Sequence, residues 1–221
     1  PSDIMKIKVL DVGQGNSLVA HLNGKYIAID CGADEADLKI QAYLKENNTN
    51  YLDVLCLTHY HADHANDVVK LIKAVDIGMI VMPDTADENY REKIENTATE
   101  YGVEIKLVST DQIVDVGELK INVLAKQIEL LSNDENEKSL VYILDYHDFE
   151  FITTGDLPTG GEKQLLSYYA STVLDCEVMM AGHHGSKNSN SKDFLQAVSP
   201  DTVIISAGKD NSYGHPHEEA L

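Results

Sequence analysis

The chain has no tryptophan, only 17 Lys and Arg against 37 Asp and Glu, and three cysteines set far apart, Cys31, Cys56 and Cys176. Each scarcity excludes something. A formal net charge of -20 and a pI near 4.6 rule out a broad basic surface that grips nucleic acid by counterion release. Isolated cysteines supply neither a disulfide framework nor a CxxC redox pair. No apolar run approaches the ~20 residues of a spanning helix, so the sequence as given reads as non-inserting. Its first residues, Pro1-Ser2-Asp3-Ile4-Met5, lack both an initiator methionine and an apolar signal segment, and His217-Glu218-Glu219-Ala220-Leu221 reads as the first turn of a helix cut short. The expectation is one domain, 1–221, taken from something longer and truncated at its C-terminus.

What is present is a globular composition, 43% hydrophobic, with the acidic residues dispersed as a solvated surface and not gathered into a disordered tail. Alternation predicts strands at Ile4–Val12, Ser17–Leu22 and Lys25–Asp30, the last two joined by Asn23-Gly24, a strong hairpin signal. Helix and strand patterns then alternate: a helix over Asp34–Glu46, a strand Leu52–Leu57, a helix Ala65–Val75, a strand Ile77–Met82, a helix Asp87–Tyr101 and a strand Val103–Val108. Strands return at Gln112–Val116, Leu119–Ala125, Leu140–Tyr146 and Phe149–Thr154. A helix over Gly161–Ala170, a strand Glu177–Met180, a helix Lys192–Val198 and a strand Thr202–Ser206 complete the pattern. Two blocks, each a meander followed by helix–strand units, predict an α/β fold of packed sheets with helices outside.

The chemistry gathers in the histidines. Seven of the nine fall into three groups: His59, His61 and His64; His183 and His184; His215 and His217. The first group reads Thr58-His59-Tyr60-His61-Ala62-Asp63-His64, between an apolar strand and an amphipathic helix. In extended backbone, side chains two apart share a face, so His59 and His61 can converge on one metal while the turn into the helix re-aims Asp63 and His64 toward a second. Imidazole with carboxylate suits Zn, Mn or Fe. Four ligand-type residues in six positions outweigh the alternative of a solvated polar loop. His21 and His147 read as strand surface and hairpin turn. Gly13-Gln14-Gly15 is too short for a phosphate-binding fingerprint and reads as a tight turn.

His-x-His-x-Asp-His at a strand end resembles the signature of the metallo-β-lactamase superfamily, and the resemblance extends over nearly the whole chain. It implies an αββα sandwich of two mixed sheets with helices on the outer faces. The family's early Asp, which braces the histidine loop, matches Asp30 in Ile29-Asp30-Cys31-Gly32, and its bridging Asp matches Asp156 after Thr153-Thr154-Gly155. On residue type alone Asp30 could equally cap a helix and Asp156 could be an ordinary turn residue. The late family His falls in Gly182-His183-His184-Gly185-Ser186. Since neighbouring side chains point apart, one of the pair is the ligand; His184 is favoured, with His183 facing substrate or solvent. More narrowly, Asp11-Val12-Gly13-Gln14-Gly15-Asn16-Ser17, the His183–Ser186 segment and Tyr213-Gly214-His215-Pro216-His217 together look like the ComEC competence group and its free-standing relatives.

The resemblance implies a binuclear hydrolase. Two divalent ions, Zn or Mn, take His59, His61 and Asp156 plus water at one site and Asp63, His64, Asp156 and His184 at the other. A bridging hydroxide is the nucleophile, with Asp63, Asp156 and His215 in catalytic roles, His215 for substrate contact or proton transfer. Asp30, Gln14, His183, Ser186, Lys187, Asn136 and Ser139 are supporting or substrate-contacting candidates. The superfamily's middle ligand His is missing, its place taken by Asn136-Glu137-Lys138-Ser139, which predicts weaker occupancy of the first site; Asn16 stands where relatives carry Asp. No cysteine lies at the Asp156 position, which weighs against antibiotic hydrolysis. Two divalent ions would hold a scissile phosphate locally despite the acidic surface. The expected substrate is thus a phosphodiester, a DNA strand or related polyanion. The alternatives are a small or cell-wall phosphoester, or a non-catalytic metal-binding module of a DNA-uptake system. An extracytoplasmic or membrane-associated location, with a membrane or signal region upstream, is favoured over a cytoplasmic one; the oligomeric state is open.

Overall fold

The Asn23–Gly24 turn takes left-handed backbone at both residues, φ 50° and 77°, the geometry whose twist matches the strands of a two-residue hairpin. It pairs β2 (Leu18–Leu22) with β3 (Lys25–Ile29), Leu22 opposite Lys25 and Leu18 opposite Ile29. The computed structural model describes residues 4–85, 90–128 and 132–221, in two compact units, Pro1–Leu107 and Val108–Leu221.

In the first unit β1 (Lys6–Val9) lies antiparallel to β2. Helix α1 (Ala36–Glu46) leads to β4 (Tyr51–Cys56), parallel to β3, and α2 (Ala62–Ala65) and α3 (Val68–Ala74) lead to β5 (Asp76–Pro83), parallel to β4. Helix α4 (Arg91–Tyr101) precedes the edge strand β6 (Glu104–Val108), so the sheet runs β1 to β6 in chain order. Consecutive residues of β3, Ile27, Ala28 and Ile29, are all buried, the continuous apolar run of a parallel strand covered on both faces. Ile40 and Leu44 of α1, Val68, Leu71 and Ile72 of α3 and Ile94 and Ala98 of α4 join one core with strand residues such as Val19 and Leu55. Their three- and four-residue spacing is the apolar stripe of a helix laid on a sheet.

The second unit repeats the plan. Strands β7 (Gln112–Val116), β8 (Leu119–Leu124), β9 (Val141–Tyr146) and β10 (Phe149–Thr153) form an antiparallel meander. Helices α5 (Thr159–Tyr168) and α6 (Ser171–Leu174) lead to β11 (Val178–Met180), and α7 (Lys192–Val198) to β12 (Thr202–Ile204), both added in parallel. Leu165, Phe194 and Val198 close a core with Ile143, Ile152 and Met179. Among the described residues no helix is long and apolar enough to cross a membrane.

Every expected strand is present, most of them shortened by a residue or two. The helices differ more. The one expected over Ala65–Val75 is two, α2 and α3, because the Asp67 N–H is taken by the Cys31 carbonyl at 3.0 Å instead of by a helical partner. Asp67 then turns its buried carboxylate to the Ala36 N–H, 3.1 Å, at the start of α1. The helix expected over Gly161–Ala170 starts two residues sooner, after Pro158, and Ser171–Leu174 is an additional turn that buries Leu174. Of the helix expected over Asp87–Tyr101, residues 87–89 lie outside the described residues.

Candidate metal centre

Each unit gathers part of the predicted donor set. In the first, β3 and β4 are parallel neighbours, so the residues that follow them emerge at the same end of the sheet, where open α/β sheets carry their sites. Asp30 follows β3 in left-handed backbone, φ 59°, and is fully buried. Its Oδ1 accepts the Thr58 N–H at 2.8 Å and its Oδ2 accepts the Asn16 amide at 3.0 Å. The Thr58 hydroxyl lies 2.9 Å from Oδ2, and His64 Nδ1 donates to the same oxygen at 2.7 Å. His59 Nδ1 lies 3.1 Å from the Thr58 hydroxyl. The His59 ring centroid is 4.2 Å from that of His64 and 4.9 Å from that of His61. His59 and His64 are buried, Asp63 is half-buried and His61 is exposed.

Asp63 is placed through its backbone. Asn16 N–H donates to the Asp63 carbonyl at 2.9 Å and Cys31 N–H to the His64 carbonyl at 2.8 Å. Gly32 lies so close that a Cβ there would stand 2.0 Å from the Asp63 carbonyl carbon. Asn16 is thereby explained: an acid in its place would face the Asp30 carboxylate, whereas the amide donates to it. Gln14 is half-buried in the bend between Gly13 and Gly15.

In the second unit β10 ends at Thr153 and the chain passes Gly155, φ 55°, to bury Asp156. His183, His184 and Gly185 are left-handed in succession, φ 50°, 55° and 77°. For a residue with a Cβ that backbone costs about 1–2 kcal/mol, so the surroundings must impose it. The expectation that the two imidazoles point apart assumed extended backbone; in the left-handed turn both reach the same carboxylate. His183 Nε2 lies 3.5 Å from Asp156 Oδ2 and His184 Nε2 3.7 Å from Oδ1. His184 is 4% exposed and points Nδ1 at the Ser206 carbonyl, 2.9 Å away, while the His183 side chain keeps 25% of its surface.

His215 joins this group, its ring centroid 5.5 Å from His183 and 4.8 Å from His217. Asn211 holds its loop, accepting N–H bonds from Tyr213 and His215, both at 3.1 Å. Burial foremost, then the imidazoles of His183, His217 and His184, holds His215 below the ordinary imidazole range. His217 Nδ1 accepts the Lys187 N–H at 3.1 Å, and the Lys187 side chain is exposed. The Ser186 hydroxyl is buried and accepts the Asn188 N–H at 3.2 Å, a turn bond. Asn136 and Ser139 belong to a 3-10 turn. Because Thr153 stands opposite Tyr142, that turn lies at the same sheet end as Asp156. His21 stacks on Tyr26 at 4.2 Å and His147 occupies the β9–β10 turn.

The sequence reading missed Thr58 and Ser206. Thr58 sits beside His59 and was within reach; Ser206 acts through its backbone carbonyl, 22 residues from His184, which no spacing announces.

Residues 10–209 match the metallo-beta-lactamase superfamily, and the chain belongs to it. Within that class it is similar to the competence proteins. It is 30% identical over 236 residues to ComE operon protein 3 of Bacillus subtilis, covering 98% of this chain and 30% of that protein. To Competence protein ComA of Neisseria gonorrhoeae it is 28% identical over 219 residues, 99% of this chain and 29% of that protein. The chain thus spans about 30% of the length of these curated relatives, and the resemblance to the ComEC group holds. The crystal structure of the metallo-beta-lactamase fold protein YhfI from Bacillus subtilis superposes with a TM-score of 0.64 at 13% identity, over 99% of this chain and 92% of that one. The expected α/β class, two mixed sheets with helices, is therefore the fold.

Proposed function

We propose that the chain is a metal-dependent phosphodiesterase that cleaves a DNA strand or a related polyanion. The observation that carries the metal dependence is the orientation of the buried imidazoles. His59 turns Nδ1 to Thr58, His64 to Asp30 and His184 to the Ser206 carbonyl, so Nε2 is the nitrogen each would offer a cation. Metal-ligating histidines are oriented in this way by a carboxylate or carbonyl behind the ring, and the donor set fits Zn or Mn. In this reading His59, His61 and Asp156 would hold one ion, and Asp63, His64, Asp156 and His184 would hold a second. Bound there, divalent ions supply the charge that lowers the pKa of water toward neutrality and polarises a phosphoryl oxygen.

The chain's own residues do the rest. Asp30 fixes the His64 ring, and Asp156 stands between His183 and His184. His215, held neutral near pH 7 by burial and its neighbours, is able to accept or relay a proton. Lys187 and the backbone amides around Ser186 are the phosphate contacts, with His183 beside them; Gln14, Asn136 and Ser139 border the substrate. With a net charge of -20, affinity for DNA is local to this cluster. The competence relatives support a setting in DNA uptake, extracytoplasmic or membrane-associated, as part of a longer protein.

Purified protein is expected to carry close to two metals per chain and to cleave bis(p-nitrophenyl) phosphate and linear single-stranded DNA with Mn or Zn, activity that Asp156→Ala abolishes. Nitrocefin and choline-phosphate esters separate the lactamase and small-phosphoester readings. Folded, metal-loaded protein without diesterase activity would make this a non-catalytic metal-binding module.

A further inference from the structure

The left-handed run His183-His184-Gly185 aims two adjacent imidazoles at Asp156, and two of its three residues adopt that backbone against their own preference. One side chain brackets the run from both ends. Asn190 Oδ1 accepts the Gly182 N–H at 2.7 Å, and Asn190 Nδ2 donates to the Gly182 carbonyl at 2.9 Å and to the Ser186 carbonyl at 3.4 Å. Asn190 is itself left-handed, φ 62°, and is clamped in turn. Its N–H donates to Glu162 Oε1, and the N–H of Ser191 donates to Glu162 Oε2 at 2.9 Å.

Glu162 sits in the first turn of α5 with no exposed surface. A buried carboxylate is a costly way to hold a loop, and Ser191 already anchors the same loop by capping α7 through the Phe194 N–H at 3.4 Å. The fit of both carboxylate oxygens to consecutive N–H groups makes sense when the position of Asn190 matters to a fraction of an ångström.

We propose that Asn190, clamped by Glu162, is the positioning residue that fixes the His183–His184 turn and so sets how strongly the His184 end of the site holds a divalent cation. This rests on the reading of His184 as a ligand. Asn190→Gly is the informative variant, because glycine keeps the left-handed backbone without strain and removes only the amide.

In metal-free protein, long-range 15N spectra of the imidazoles are expected to shift for His183 and His184 while those of His59 and His64 stay in place. Co(II) titration is expected to show affinity lowered about 10- to 100-fold. Glu162→Gln, which puts an amide NH2 against a backbone N–H, is expected to shift the same two rings by less. Unchanged His183 and His184 spectra in folded Asn190→Gly protein would overturn the proposal. Shifted rings with unchanged Co(II) affinity would keep the positioning role but refute its link to the metal. If His184→Ala also leaves Co(II) affinity unchanged, it is the ligand reading that fails, and the ring spectra still decide the role of Asn190.

Discussion

Gly32→Ala tests how tightly the Asp63–His64 peptide is held. The added Cβ would stand 2.0 Å from the Asp63 carbonyl carbon and 2.1 Å from both its oxygen and the His64 nitrogen. Carbon atoms settle at roughly 3.5–4.0 Å, so the peptide must retreat by more than about 1 Å. It has little room to do so, because Asn16 N–H holds the Asp63 carbonyl at 2.9 Å and Cys31 N–H holds that of His64 at 2.8 Å. Overpacking of this kind costs about 1–3 kcal/mol, and each strained hydrogen bond adds about 1 kcal/mol. A loss of roughly 3–5 kcal/mol in urea unfolding of metal-free protein is expected. Displacing Asp63 and His64 by about 1 Å should also lower diesterase turnover about 100-fold. Gly160→Ala is the control, since no atom lies within 4 Å of its added Cβ in the first turn of α5; it is expected to be neutral or slightly stabilising. If Gly32→Ala unfolds within about 0.5 kcal/mol of wild type, below the overpacking range, and turns over substrate equally well, the close approach does not govern the site.

Asp30→Ala removes the partner of His64 Nδ1, the Thr58 N–H and the Asn16 amide. It is expected to weaken metal binding about 10- to 100-fold by competition with a chromogenic chelator, and wild-type affinity would contradict its orienting role. Phe194→Ala empties a fully buried position in α7 and is expected to cost about 3–5 kcal/mol in denaturant unfolding; a cost below about 1 kcal/mol would mean that the second core closes without it. Glu150 is pushed up to about 7 by burial, by Glu177 beside it and by Asp145 directly opposite in register. The folded protein therefore keeps a proton that the unfolded chain loses near its ordinary value of 4.5, and this contribution to stability fades as pH rises through 7. Glu150→Gln is thus expected to raise the melting temperature more at pH 8 than at pH 5, and an equal gain at both would remove that account.

The strands were legible because period-two alternation and the Asn23-Gly24 turn are written locally. The break between α2 and α3 was not, since it depends on the Cys31 carbonyl meeting the Asp67 N–H across the fold. The same divide runs through the site. Side chains named by motif, from His59 to His215, are gathered into two clusters, one in each unit. Of the groups behind them, Thr58 acts through its hydroxyl from the position next to His59, whereas Ser206 offers a backbone carbonyl and Asn190 and Glu162 grip backbone atoms, which leaves no trace in spacing. The pair His183-His184 shows the limit most clearly: alternation assigns adjacent side chains opposite directions, and three left-handed residues reverse that.

Asp30 ties two stretches of chain distant from it in sequence, one at Asn16 and one from Thr58 to His64, through protein bonds alone. These bonds fix the histidine loop without calling on an ion, so binding one there is expected to require little reorganisation. Calorimetry of metal binding should show a small heat-capacity change, unlike a domain whose folding waits on its metal. A chelator is then expected to leave the protein folded.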